Sequence, residues 1–164
     1  MRNTDGRLYY AQNFYIQMKD TVTKIMVFGT FDILHPGHVH FFKQARRLSR
    51  ESFLIVSIAR DVSVKRVKGR PPLYSEKARA DFVRNTGLAD RIVLGDIKGH
   101  MAHILKEGPD IIALGYDQVG YYVDATIQYL EDNAIPIRVV RLRSHHPEKY
   151  KSSLYKTKLT ERGV

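Results

Sequence analysis

Chemistry can be built on His35 and His38, which stand three apart in His35-Pro36-Gly37-His38. The apolar run Met26-Val27-Phe28, broken at Gly29, precedes them; it has strand character, and helical periodicity resumes at His38. A strand, a glycine-containing turn and a helix start gather backbone N–H groups and a positive dipole end into one small space. Phosphate binds readily in such a place, and both imidazoles can point at the same group. Gly37 permits close backbone approach and Pro36 fixes the turn. Two other readings stand beside this one. His35, His38 and His40 form the pattern H-x2-H-x-H of a metal cluster, although no matching carboxylate set accompanies them. Alternatively, the histidines are isolated structural residues.

The elements that position these residues follow from periodicity. Strands are expected at 24–28, 53–59, 91–94, 110–114 and 135–142, with helices at 38–49, just past Arg60, at 76–85, at 100–107 and after Gly120. In the first helix Phe41, Ala45 and Leu48 form the apolar stripe, and in the third Ala78, Phe82 and Val83 face inward behind an N-cap at Ser75. A last short helix starts near Ser152-Ser153. Strands alternating with helices predict a single α/β domain: a Rossmann-like parallel sheet of about five strands, helices on both faces. Ligands of such a sheet sit beyond the carboxyl ends of its strands. The loops after strands one, two, four and five carry HPGH, VKRVKGR, GYDQ and YKSS, and these should converge on one cleft. Residues 1–20 read as a mobile N-terminal extension whose Tyr9, Tyr10, Phe14 and Tyr15 could pack on the domain, and residues 21–164 as the domain itself.

Composition sets limits. With 164 residues the chain suits one domain with a real core. The lack of cysteine excludes disulfides, thiolate metal sites and a cysteine nucleophile. No apolar run approaches a membrane span and no secretory h-region opens the chain, so a cytoplasmic location is expected. The net charge of +10 is uneven: residues 1–42 carry +1, 43–84 carry +8, 85–137 carry −5 and 138–164 carry +6. Basic loops around an anionic small-molecule site, a nucleic-acid face and a solvated surface are all compatible with that distribution. Aromatic residues are not interleaved with the basic runs as in single-strand platforms, which disfavours nucleic acid.

The stretch G-T-F-D-x-L-H-x-G-H, Gly29 to His38, resembles the signature of the nucleotidyltransferase superfamily that carries HxGH, and the resemblance spans roughly residues 22–160. Within that superfamily A-R-D-x-x-V-K-x-x-K-G-R-x-P, P-D-I-I-x-L-G-x-D-Q and the later Ser-Ser resemble archaeal-type FAD synthase, an FMN adenylyltransferase using ATP. The resemblance implies catalytic roles for His35, His38 and Lys68. It places Gly29, Thr30, Phe31, Gly37, Lys65, Arg79, Gly115, Asp117, Ser152 and Ser153 around the nucleotide. Each has a plainer reading: a solvated charge run for the lysines, a surface helix residue for Arg79, a turn aspartate for Asp117, a helix cap for the serines. The cytidylyltransferases of the superfamily carry an arginine before strand three; this chain has Thr86-Gly87-Leu88-Ala89-Asp90 there, leaving Arg84 or Arg91 to substitute.

The implied reaction is attack by a substrate phosphate on the α-phosphorus of a nucleoside triphosphate, releasing pyrophosphate. A phosphate monoester is ionised at neutral pH, so no general base is required. Mg²⁺ would be held mainly by the triphosphate, with no dedicated protein metal site; Asp32 is at most a minor ligand. The expected pair is ATP and FMN, with an aromatic lip of Tyr116, Tyr121 and Tyr122 beside Val119 to receive a flat ring, and with Arg141, Arg143 and Lys151 for its phosphate. The alternative is CTP with glycerol 3-phosphate or a similar small alcohol phosphate. Neither nucleic acid nor membrane is an expected partner, and a homodimer is compatible with the resemblance.

Overall fold

The computed structural model describes residues 22–97 and 99–155. The expected extension over 1–20 lies outside the described residues, as do residues 156–164. The elements in order are β1 (Thr23–Gly29), α1 (Pro36–Arg46), β2 (Ser52–Ile58), α2 (Asp61–Lys68), α3 (Glu76–Arg84), β3 (Arg91–Leu94), α4 (His100–Glu107), β4 (Ile111–Leu114), α5 (Tyr121–Asp132) and β5 (Arg138–Arg141). A further helical turn covers 152–155.

All strand pairs are parallel, in the order β3-β2-β1-β4-β5. Strand alternation feeds two separate cores. Ile25 and Val27 point to the face covered by Phe42 and Ala45 of α1 and by Ala80 and Val83 of α3. Met26 points to the other face, with Ile104 of α4 and Leu130 of α5. Cover on both faces explains why β2 reads as an almost unbroken apolar run. From β1 the chain moves outward through β2 to β3, then returns to place β4 on the opposite side of β1. The crevice at that reversal, beyond the carboxyl ends of β1 and β4, is where ligands of open α/β sheets bind.

Three expectations are corrected. Helix α1 starts at Pro36, two residues before His38, because proline at the first helical position lacks only an N–H that would have no partner there. Helix α3 is rotated: Arg79, Ala80 and Val83 are its buried residues, while Phe82 is half-buried against the edge of Tyr74. Strand β5 is shorter than 135–142. Pro136 has no N–H for a ladder, so Ile135 and Ile137 join the core by side-chain packing ahead of the paired strand. Among the described residues no helix is long and apolar enough to cross a membrane.

Candidate active site

His35 is the N-cap residue of α1, and its carbonyl accepts the N–H of His38 at 2.9 Å. Its ring makes no capping bond and lies over the helix start. A Cβ on Gly37 would sit 3.0 Å from that ring and 3.1 Å from the Tyr150 carbonyl oxygen, so glycine here makes room for the imidazole. The His35 and His38 rings stack with centroids 3.9 Å apart. Phe31 meets His38 edge-on at 5.2 Å and also packs on Phe42, which ties the pair to the core. Phe31 reaches this place with φ at 51°, a conformation unusual outside glycine, and its ring covers Gly29 so closely that a Cβ there would lie 2.4 Å from it.

Both imidazoles are held neutral. Burial, followed by the neighbouring His35, lowers the His38 pKa from 6.5 to about 3, against a smaller upward pull from the Ile33 carbonyl. Burial also lowers His35, and the Asp117 carboxylate partly opposes it. Two charged imidazoles could not stack at this distance. A neutral imidazole can donate one hydrogen bond but carries no positive charge. The linkage has a definite sign. The folded pKa is depressed, so the contribution of His38 is fully present above about pH 6.5 and is lost as pH falls toward 3. The melting temperature should therefore drop between pH 6.5 and 4, with His38 supplying at most about 1.4 kcal/mol per pH unit. His38→Ala should flatten that slope in a thermal melt series; an unchanged slope would mean the ring is solvated.

The loops converge as the topology requires. From the β2 side, Lys68 at the end of α2 donates from Nζ to Thr30 Oγ1 at 3.0 Å. Lys65 is exposed one turn earlier on the same helix. From the β4 side, Asp117 comes near enough to His35 to act on its titration. Gln118 laces this loop down, accepting from the Gly115 N–H at 2.6 Å and donating to the Phe28 carbonyl at 2.9 Å. From the β5 side, Ser152 Oγ and His35 Nε2 share a hydrogen bond of 3.3 Å, and the Tyr155 ring stacks on His35 at 5.4 Å. Ser153 is exposed in the same turn. His35 Nδ1 is shut from water with no partner among the described residues, an orphan polar atom of the kind a bound ligand satisfies.

Other side chains go elsewhere. His40 turns away from the two site histidines and stacks on His145 at 4.1 Å, so the three do not converge on one ion. Arg79 is neither on the surface nor open to the cleft. Its side chain is fully buried and donates to the carbonyls of Tyr74, Thr30 and Ala59 and to the Asp61 carboxylate. Arg84 and Arg91 pair at the surface with Asp81 and Glu107. Arg141 braces the β4 loop by donating to the carbonyls of Gly115 and Gln118. The sequence carries no local signal for the bracing by Gln118 and Arg141, because their partners are up to 90 residues away.

Metal binding can be tested on the donor set. Asp32 is buried, and both its carboxylate oxygens accept backbone N–H groups, from Leu73 at 2.9 Å and Tyr74 at 3.0 Å. Among the described residues no group of three or more His, Asp or Glu could hold a metal ion.

The cleft lies within a recognisable sequence span. The cytidylyltransferase-like family pattern matches residues 26–158. The FAD synthase of Methanosarcina acetivorans is 40% identical over 128 residues, 78% of this chain and 82% of that protein. The FAD synthase of Thermococcus sibiricus is 39% identical, over 82% of this chain and 86% of the relative. A crystal structure described as a lipopolysaccharide core biosynthesis protein from Thermoplasma volcanium superposes with a TM-score of 0.67 at 32% identity, covering 75% of this chain and 98% of that one. Histidine pair, parallel sheet and family pattern coincide: this chain belongs to the cytidylyltransferase-like family.

Proposed function

We propose that the protein is an FMN adenylyltransferase, forming FAD and pyrophosphate from ATP and FMN. One observation carries this reading: identity of 40% across 82% of an FAD synthase, with the HPGH cleft complete in this chain. In the reaction a phosphate oxygen of FMN forms a P–O bond to the α-phosphorus of ATP, and the bond from that phosphorus to the bridging oxygen breaks in line. The electron pair leaves with pyrophosphate. FMN is already ionised at neutral pH, so catalysis consists of alignment and charge stabilisation.

The residues divide that work. His35 and His38, neutral and rigidly stacked, donate hydrogen bonds to the phosphate oxygens on which charge grows, aided by the N–H groups at the start of α1. Lys68 and Lys65 supply the positive charge that the imidazoles lack. Gly29, Thr30, Phe31 and Gly37 form the floor, where backbone approaches phosphate. Gly115 and Asp117 face the ribose or base, and Ser152 and Ser153 hold the outer phosphates; Ser152 must then exchange its bond with His35 for one to phosphate. Arg79 acts through the loops it braces. A Mg²⁺ ion held mainly by the triphosphate would supply further charge neutralisation, beside Lys65 and Lys68.

The flavin ring is assigned to the lip at the start of α5. Tyr121 is 79% exposed and Val119 75%, and Tyr116 and Tyr122 are partly open beside them, so a flat ring has apolar surface to cover. A matrix of ATP and CTP against FMN and glycerol 3-phosphate, read by pyrophosphate release, tests the assignment. Turnover is expected with ATP and FMN, and Tyr121→Ala should raise KM for FMN several-fold while leaving KM for ATP near normal. Turnover with CTP and glycerol 3-phosphate alone would overturn the flavin reading and leave the family.

A further inference from the structure

We infer that Asp32 is a positioning residue for Lys68: its carboxylate fixes the far end of the segment that carries the lysine and so sets where the ammonium meets phosphate. The inference rests on the reading of Lys68 as a phosphate-binding group.

The last turn of α2 and the loop that follows it form a basic excursion in which residues 65–71 are all exposed, with Val64 buried just before it. Its turn at Gly69, with φ at 71°, has no atom within 4 Å of where a Cβ would be. Past Val64 of α2 the chain has open space at its turn, so the bond from Lys68 to Thr30 and the anchors at either end carry much of its placement. The near end is a reciprocal clasp between two helix starts. The Asp61 N–H donates to Glu76 Oε2 at 2.9 Å and the Glu76 N–H donates to Asp61 Oδ2 at 3.2 Å, while buried Arg79 holds Asp61 Oδ1 at 2.6 Å. The far end is Asp32. It is 3% exposed and receives two successive amides, Leu73 N–H on one oxygen and Tyr74 N–H on the other. Such charge-assisted bonds are roughly twice as strong as neutral ones, and a buried carboxylate depends on them.

Asp32 also lies two residues from Thr30, which holds the Lys68 ammonium. One short stretch after β1 thus grips the segment at its lysine and at its end. With the far anchor released, the loop after Gly69 loses its fixed end, and the end of α2 that carries Lys68 is held less tightly against Thr30. Misplacement of about 1 Å in a charge-stabilising group can lower rate a hundredfold. With one amide on each oxygen, the carboxylate is aimed at residues 73 and 74, the far end of the segment.

The test uses the full chain and two readouts, the MgATP dissociation constant by equilibrium dialysis and the Mg²⁺ concentration for half-maximal activity. Asp32→Asn should weaken MgATP binding about tenfold. In a Lys68→Ala background the same change should have an effect under about twofold, because the group it positions is gone. Leu73→Pro, which removes a donor and leaves the carboxylate, should reproduce the loss; Leu73→Ala, which keeps the N–H, should not. The Mg²⁺ requirement should stay constant throughout. Independent, multiplying effects of Asp32→Asn and Lys68→Ala would overturn the inference, as would a raised Mg²⁺ requirement in Asp32→Asn with normal Leu73→Pro. Should Asp32→Asn fail to fold, Leu73→Pro against Leu73→Ala decides. If Lys68→Ala binds MgATP normally, the reading of Lys68 itself fails, a separate outcome because the dialysis requires no acceptor.

Discussion

Replacement of His38 by alanine is expected to lower kcat a hundredfold or more, about 3 kcal/mol at the transition state. The ring is one of two neutral donors at the start of α1, held on both sides by His35 and Phe31, so its N–H is aimed before substrate arrives. A donor fixed in this way needs no reorganisation as charge develops, which is why removing it affects rate more than binding. The melting temperature should change little at neutral pH, since the ring is half-buried and lies against the rim of the core. His35→Ala should lose turnover similarly. Steady-state pyrophosphate release with a parallel thermal melt checks both variants. Near-normal turnover in either, or simple unfolding, would remove the histidines from the mechanism.

The second large effect is expected on stability. Arg79→Met keeps most of the buried volume but withdraws the guanidinium from three carbonyl oxygens and one carboxylate. Each buried acceptor left without a donor costs about 1–3 kcal/mol, so losing the donor to three carbonyls is expected to cost about 3–5 kcal/mol. Here Thr30, Ala59 and Tyr74 would each keep a carbonyl without its partner at the carboxyl ends of β1 and β2 and at the entry to α3. Urea unfolding should show a midpoint shift of that size with an unchanged slope. A variant of normal stability with a raised KM for ATP would instead make Arg79 a nucleotide contact. The expected pattern is lost stability, with catalysis falling because the loops around Thr30 and Asp61 lose their common brace.

These two residues mark the boundary between what is local and what is not. His35, Pro36, Gly37 and His38 are contiguous, and their chemistry depends on a strand, a turn and a helix start that neighbouring residues specify. The signature was therefore legible without a structure. So were the alternation of five strands with helices, since period-2 and period-3.6 apolar patterns are properties of short windows. The burial of Arg79 was not. In a helix read by hydrophobic periodicity a charged side chain counts as outward-facing, and the pattern gives α3 an inner face of Ala78, Phe82 and Val83. What draws Arg79 inward is a set of oxygens up to 49 residues away, brought together only when β1 and β2 pair.

The same reasoning separates the rest. Sequence by itself determined the family signature, the order of elements and the loops that carry polar residues, because each is encoded in a run of adjacent residues. Tertiary structure alone decided that His35 and His38 stack and remain neutral, that Asp32 grips Leu73 and Tyr74, and that Gln118 and Arg141 hold the β4 loop. Those outcomes depend on burial and on partners from distant segments. A side chain's charge state and hydrogen bonds follow from what surrounds it, and for these residues the surroundings exist only after the sheet has formed.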